Sequence, residues 1–305
     1  MKPSTKDRLF IHEVSTRDGF QMESVMIPTE QKIKLINTLS QTGLHTIEAT
    51  SFTSPKAIPG LADAAEVMQG IQRAEGVVYA ALVPNLKGAL RALDCGVDEL
   101  NLVMSASESH SRANLRMSSQ DSIAGFREIV EHTQGRAQIN VSISTAFGCP
   151  FEGAVDELRL QELISQVVDL GVRHMTLCDT TGMAHPVQVQ RVFEQAMGLW
   201  PAVRWTAHFH NTRAMGLPNV LAALEAGVRH FDASLGGLGG CPYAPGATGN
   251  VCTEDMVHML HAMGWNTGVD LGLLIEAAQS LPAVVGHDIA GQVVKAGALP
   301  VALAA

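Results

Sequence analysis

AGVRHFDA, residues 226–233, carries the end of a helix, turns on Gly227 and runs directly into an apolar stretch of strand length. Three other stretches share the plan: TGLHTIEA at 42–49, CGVDELNL at 95–102 and LGVRHMTL at 170–177. In each, a glycine stops a helix, one or two residues turn, and apolar residues begin the next strand. Such repetition marks an internal βα repeat. Working outward, eight runs read as strands: Leu9–Ser15, His45–Ser51, Val77–Val83, Glu99–Ser105, Gln138–Thr145, His174–Asp179, Arg204–His210 and His230–Leu235. Each is followed by a segment with helical periodicity, at a spacing of roughly 30 residues, the length of one βα unit. Thr29 and Glu30 read as the cap of the first helix, and Ser119 and Asp121 as the start of the fourth.

Eight units in about 270 residues favour a closed (β/α)8 TIM barrel over an open doubly wound sheet, which has the same rhythm. The expected organisation is a single domain over residues 1–305, with the barrel at about 8–265 and a helical extension at about 266–305. LGLLIEAAQSLPAVVG, starting after Asp270, supplies the extra C-terminal helices.

A chain of 305 residues with 46% apolar and only 17% charged residues fits one large core, expected to be dry. The net charge of −9, without a Lys/Arg cluster, argues against nucleic acid as a partner. Five cysteines (Cys95, Cys149, Cys178, Cys241 and Cys252) are odd in number and lack C-x-x-C spacing, so they read as reduced thiols. Met1–Leu9 has no signal-like apolar stretch and no run approaches the roughly 18 residues of a membrane span. A soluble cytoplasmic protein with no membrane partner is expected.

In a barrel of this kind, chemistry gathers where strands end. Arg17 and Asp18 follow strand one, Glu48 and Ser51 lie late in strand two, Asp179 ends strand six, and His208 and His210 end strand seven. Two histidines at i and i+2 on a strand share a face. With Asp18 they form a mixed nitrogen and oxygen set suited to Mg2+ or Mn2+; alternatively, neighbouring backbone or carboxylates satisfy them. GGLGGCPYAPGATGN, residues 236–250, holds six glycines, which lets backbone N–H groups approach an anionic ligand. Cys241 within it reads either as a mobile proton donor or as an inert thiol. Arg17 beside Asp18 is either a surface ion pair or a fixed positive charge for a developing oxyanion. Glu48 and Asp179 are either structural acids, chemical groups, or carboxylates that orient the ligands and the arginine.

EVSTRDGFQ (13–21), IEATSFTSPKAIP (47–59), FGCPFEG (147–153), HFHN (208–211), the Gly-rich loop and TEDMVHML (253–260) together resemble the 3-hydroxy-3-methylglutaryl-CoA lyases, from about residue 10 to about residue 270. R-D-G-x-Q with H-x-H alone indicates only the wider metal-dependent lyase and synthase superfamily; the loop carrying Cys241 points to the lyase branch. The resemblance implies a barrel with one divalent ion, Mg2+ or Mn2+, held by Asp18, His208, His210 and Asn250. It implies catalytic roles for Arg17, Cys241, Glu48, Asp179 and His208. It implies acyl-CoA contacts from Arg17, Gln21, Ser51 and Asn85, with Glu13 and Glu254 supporting them from behind; Arg213 is a further candidate contact that comes from a departure from the pattern. The implied reaction is retro-Claisen cleavage to acetyl-CoA and acetoacetate.

Two departures bear on the substrate. Ser24 stands where the lyases have Lys, and Asn211-Thr212-Arg213-Ala214 stands where they have Asp-Thr-Tyr-Gly. Arg213 adds a donor fork suited to a carboxylate, so a related acyl group, citramalyl-type or longer, is the alternative substrate. A superfamily aldolase or Claisen synthase, and a non-catalytic CoA-ester-binding barrel, are the competing readings. Apolar helices near the C-terminus point to a homodimer.

Overall fold

The computed structural model describes residues 8–240 and 249–298; Cys241 lies outside them. Eight strands are present: β1 (Phe10–Glu13), β2 (Thr46–Ser51), β3 (Val78–Leu82), β4 (Glu99–Ser105), β5 (Gln138–Ser144), β6 (His174–Asp179), β7 (Arg204–Phe209) and β8 (His230–Ala233). They pair in parallel and in chain order, and β8 returns to β1 to close the barrel. The helices between them are α1 (Thr29–Leu39), α2 (Ala64–Gly70), α3 (Leu86–Asp94), α4 (Glu108–Asn114), α5 (Ser119–Thr133), α6 (Glu157–Asp169), α7 (Pro186–Leu199) and α8 (Gly216–Ala226), with α9 (Thr253–Ala262) after β8. The eight strands stand where the sequence places them, and the fold is the expected (β/α)8 barrel.

The glycines of the four repeated stretches (Gly43, Gly96, Gly171 and Gly227) have φ of +83°, +70°, +90° and +110°. That backbone region strains any residue with a Cβ, which explains why glycine turns helix into strand at each. Gly43 is also sterically pinned, since a Cβ there would lie 2.1 Å from the Gly268 carbonyl oxygen.

Two helix starts differ from the sequence reading. Pro28 stands at the N-cap of α1 with no side-chain cap, and the Thr29 hydroxyl instead donates to Asp63 (2.7 Å). The buried Lys32 ammonium donates to the same carboxylate (2.7 Å), so α1 is tied to α2 rather than capped. After β4 there are two helices where one was expected, and the cap of α5 is Ser118: its hydroxyl accepts from the Asp121 N–H, and the Asp121 carboxylate accepts from the Ser118 N–H.

The dry core is the ring between barrel and helices, not the barrel interior. Outward-facing Ile47, Leu100, Leu102, Val141, Ile143 and Leu177 pack against Ile36, Leu39, Ile129, Leu163, Phe193 and Leu224, all buried. Each contributes about 1.5–3 kcal/mol relative to exposure. Inside the strands the expectation of dryness fails. Asn101 Nδ2 donates to Glu48 (2.7 Å), Asn140 Nδ2 to Asn101 Oδ1 and to Thr176 (3.0 Å each), and Ser142 to Asn101 Oδ1 (2.8 Å). The inward alternation of each strand brings polar groups together, and mutual hydrogen bonding offsets their desolvation.

The extra C-terminal helices are present as α10 (Leu271–Val285) and α11 (Val293–Ala296). Asp270 caps α10 by accepting from the Leu273 N–H (3.1 Å). α10 packs on both α1 and α9, across the seam where the helical ring closes, and buries Leu274, Ala277, Ala278, Leu281 and Val285. Among the described residues no helix is long and apolar enough to cross a membrane.

Candidate active site

The chain leaves β1 through a π-helical turn, Ser15–Gly19, whose Asp18 N–H bonds back to the Val14 carbonyl (2.7 Å). This wide turn places Arg17 and Asp18 side by side at the C-terminal mouth of the barrel. Behind it, Glu13 accepts from the Ser15 N–H (2.8 Å), the Leu235 N–H (2.9 Å) and the Thr253 hydroxyl (2.7 Å), fastening the exits of β1 and β8 to the start of α9. Burial raises the Glu13 pKa to about 7 against the pull of these donors. Glu254 accepts from the Gly236 N–H (3.0 Å), and burial raises its pKa too.

Arg17 is almost fully buried; its Nε donates to Glu48 and its Nη1 to Asp18, both at 2.6 Å. Burial works against its charge, but the two carboxylates outweigh that and keep the guanidinium protonated. For Asp18, burial is outweighed by Arg17, His208 and His210, and the pKa falls below the usual range. The same groups leave Glu48 raised, because burial there exceeds the help from Arg17 and Asn101.

His208 and His210 lie on one face of β7 and its exit, with ring centroids 5.3 Å apart. One ligand atom from each lies within 4.8 Å of the other and of an Asp18 oxygen. Asn250 joins them because the backbone re-enters beside β7 as a short bridge, His210 to Asn250. Its Nδ2 donates to Asp18 Oδ2 (2.7 Å) and to the Leu238 carbonyl (3.0 Å), while its Oδ1 is buried without a partner among the described residues. His210 Nδ1 is likewise buried and, among the described residues, unpaired. Burial, reinforced by His208, lowers the His210 pKa to about 4, so the ring is neutral at pH 7. Two orphaned donor atoms beside a carboxylate and a second imidazole fit a hard divalent cation.

A residue that the motif reading passed over sets the orientation of this pair. Asp232 Oδ2 meets His208 Nδ1 at 3.2 Å and outweighs burial to raise the His208 pKa. Asp232 is the register partner of His208 on β7 and of His12 on β1, so the three form one inward row. The signal was present in AGVRHFDA, where a lone acid interrupts an apolar strand at an inward position.

Arg17, Asp18, His208 and His210 line a cavity of about 950 Å³, together with Gln21 and Asn85. Asn85 also caps α3, accepting from the Gly88 N–H (3.0 Å). Lys56 and Arg116, neither of them singled out by motif, stand exposed on its wall. Ser51, Asp179 and Arg213 do not line it. Ser51 shares a hydrogen bond with Thr53 (2.8 Å), which does. Asp179 Oδ1 accepts from the Met183 and Ala184 N–H groups (2.7 and 3.1 Å), its Oδ2 is buried and unpaired among the described residues, and burial raises its pKa to about 6. Arg213 Nη1 donates to the Thr181 and Gly182 carbonyls (3.0 and 2.9 Å), tying the β7 exit to the β6 exit.

A family model described as HMGL-like matches residues 8–281, the whole barrel and most of its first extra helix. The chain belongs to that family. Hydroxymethylglutaryl-CoA lyase of Bacillus subtilis is 44% identical over 283 residues, covering 92% of this HMGL-like chain and 95% of that protein. A Pseudomonas aeruginosa lyase named for both 3-hydroxy-3-isohexenylglutaryl-CoA and hydroxymethylglutaryl-CoA is 40% identical over 285 residues, 93% of this chain and 95% of its own. Among solved structures, the HMG-CoA lyase of Acinetobacter baumannii in complex with coenzyme A and 3-methylmalate superposes with a TM-score of 0.93 at 52% identity, covering 97% of each chain. The HMGL-like assignment makes this chain a member of a carbon–carbon lyase family, as its strand-end residues imply.

Proposed function

We propose that this protein cleaves 3-hydroxy-3-methylglutaryl-CoA to acetyl-CoA and acetoacetate, with one Mg2+ or Mn2+ held by Asp18, His208, His210 and Asn250. The observation that carries this is the meeting of Asp18, His208 and His210 beside Arg17 on the wall of one large cavity, with Asn250 hydrogen-bonded to Asp18. A bound divalent ion supplies Lewis acidity, lowering the pKa of a substrate hydroxyl so that its proton leaves near neutral pH.

The chain's own residues account for the rest. A base, Cys241 or a histidine, takes the hydroxyl proton as the C2–C3 bond breaks, its electron pair passes to the thioester as an enolate, and the tertiary carbinol carbon becomes a ketone. Arg17, locked by Glu48 and Asp18, offsets the enolate charge without reorganising. Asp232 holds His208 in one tautomer by engaging Nδ1, which leaves Nε2 as the nitrogen free to bind the ion. Cys241, within the Gly-rich stretch 236–250, returns a proton to the enolate carbon. Gln21 and Asn85 contact the acyl-CoA, and Lys56 and Arg116 offer counter-charge to its phosphates. Asp179 and Arg213 brace the exits of β6 and β7, and Glu13 and Glu254 brace those of β1 and β8.

The relative named for isohexenylglutaryl-CoA supports a second reading, in which a longer or carboxylated acyl group is preferred. The altered run Asn211–Ala214 supports it too. The test is product identification by mass spectrometry after metal removal with EDTA and reconstitution. Acetoacetate and acetyl-CoA should form only with Mg2+ or Mn2+ restored, and kcat/KM across a panel of 3-hydroxyacyl-CoA thioesters ranks the substrates. Release of free CoA from acetyl-CoA and a 2-oxo acid would mark a synthase instead. We further propose a cytoplasmic homodimer, which gel filtration with light scattering checks. The unpaired thiols of Cys95, Cys149, Cys178 and Cys252 suit a reducing compartment, and Leu273, 40% exposed on α10, offers apolar surface for a second copy.

A further inference from the structure

Three histidines meet at the N-terminal mouth of the barrel, at the end opposite the cavity. His12 lies in β1, His45 immediately precedes β2, and His230 opens β8. Their ring centroids stand 5.3, 5.5 and 5.7 Å apart. One nitrogen from each lies within 4.8 Å of the other two, and His12 Nε2 is 3.1 Å from His230 Nδ1. Three imidazoles on one tetrahedral cation, bonded at about 2.1 Å, hold their centroids about 5 Å apart. A contraction of a few tenths of an ångström would therefore bring the three rings onto a common ion.

We propose that His12, His45 and His230 bind a transition-metal ion of the zinc type at this mouth, distinct from the ion proposed for Asp18, His208, His210 and Asn250. His12 Nδ1 faces Asp232 Oδ1 at 3.1 Å, which fixes that nitrogen as the donor and turns the Nε2 lone pair toward His230. A carboxylate behind a ligating imidazole is the usual support of a metal site. The ligand set is all nitrogen, which favours Zn2+, Co2+ or Ni2+ over Mg2+. The charges facing the cluster balance: Arg8 and Arg204 oppose a cation, and Glu99 and Asp232 favour it. Glu99 already pairs with Arg204 (2.7 Å) and His174 (3.0 Å). Burial, helped by His12 and Arg204, lowers the His45 pKa to about 4 and that of His230 further still, so both rings hold free lone pairs at neutral pH. His45 and His230 remain half-buried, leaving a path for the ion. Because the ligands come from β1, β8 and the lead into β2, the ion would fasten the seam where the barrel closes.

Zinc counted per chain by plasma mass spectrometry, after equilibrium dialysis, tests this. Wild type should retain two Zn2+, since the centre at the other mouth also accepts zinc, whereas His45→Gln and His230→Gln should each retain one with lyase turnover on Mg2+ unchanged. The double variant Asp18→Asn/His210→Asn should retain one, and adding His45→Gln should reduce it to none. Zinc added to the Mg2+-loaded enzyme should raise the Tm of wild type more than that of His45→Gln. Equal zinc counts in wild type and both single variants overturn the proposal. Should those variants fail to fold, as judged by circular dichroism, absence of zinc from the Asp18→Asn/His210→Asn protein overturns it equally.

Discussion

Arg17 sits between two carboxylates, 2.6 Å from each. Replacing it with Gln keeps the length and removes the charge proposed to offset the enolate. Arg17→Gln should lower kcat about 10²–10³-fold, the usual consequence of deleting one preorganised oxyanion donor. It should also lower the Tm, because Glu48 is left buried without its cation, a loss of about 3–5 kcal/mol. Near-normal turnover with metal still bound would remove the assigned role. Asp179 offers a pH signature. Its native pKa is raised to about 6, so between the ordinary carboxylate range and that value the folded state holds more protons than the unfolded one. Stability therefore falls as pH rises through this window. Asp179→Asn, which cannot ionise, should match wild type in Tm near pH 4 and exceed it above pH 6.5; thermal melts across pH 4–8 check this, and parallel curves would refute it. At this scale the sequence showed the residues whose chemistry is conspicuous beside a strand end, Asp18, His208 and His210 among them. Asp232 is visible as a lone acid in an apolar strand, but its role was illegible because its partners, His12 and His208, lie 220 and 24 residues away and meet it only through strand register.

The repeated glycine turns made the strands readable because backbone geometry, not packing, dictates them. Helices were less legible where tertiary contacts override local signals. Thr29 reads as a cap, yet a buried lysine and Asp63 claim that end of α1. The run after β4 reads as one helix, yet it breaks into α4 and α5 at Ser118. Two loop positions carry predictions. Ala214 has a φ of +58°, where the resemblance places Gly, and a left-handed alanine costs about 1–2 kcal/mol. Ala214→Gly should raise the Tm slightly, after the offsetting gain in unfolded-chain entropy; a fall would mean that the strain is relieved by contacts. At Gly249 a Cβ would lie 2.1 Å from the Gly237 carbonyl oxygen and 2.6 Å from that of Gly239. Gly249→Ala should push Asn250 away from Asp18 and weaken Mn2+ binding about 10–100-fold by calorimetric titration, with the far-ultraviolet spectrum unchanged. Unaltered affinity would show that Asn250 is not a ligand.

At the scale of the molecule, the extra helices belong to the fold as firmly as the barrel does. α10 covers the ring closure, and the Ala290 N–H bonds to the Gly236 carbonyl (3.0 Å), steadying the stem of the Gly-rich loop. Truncation after residue 265 would expose the apolar faces of α1, α9 and Gly236 together. The expected outcome is an insoluble chain, whereas the intact protein melts in one calorimetric transition; a soluble, cooperative truncated barrel would separate the extension from the core. Barrel closure itself was legible only as a count of eight, because no local feature announces that β1 and β8 will pair. That pairing also fixes when catalysis can begin. Asp18 reaches Asn250 across 232 residues, so translation at about 5–20 residues per second leaves the first strand waiting tens of seconds for its last neighbour. A nascent chain that stops before residue 230 already carries Arg17 and Glu48 but lacks the final wall, so on the proposed mechanism it stays inert toward thioesters until β8 and Asn250 have been made.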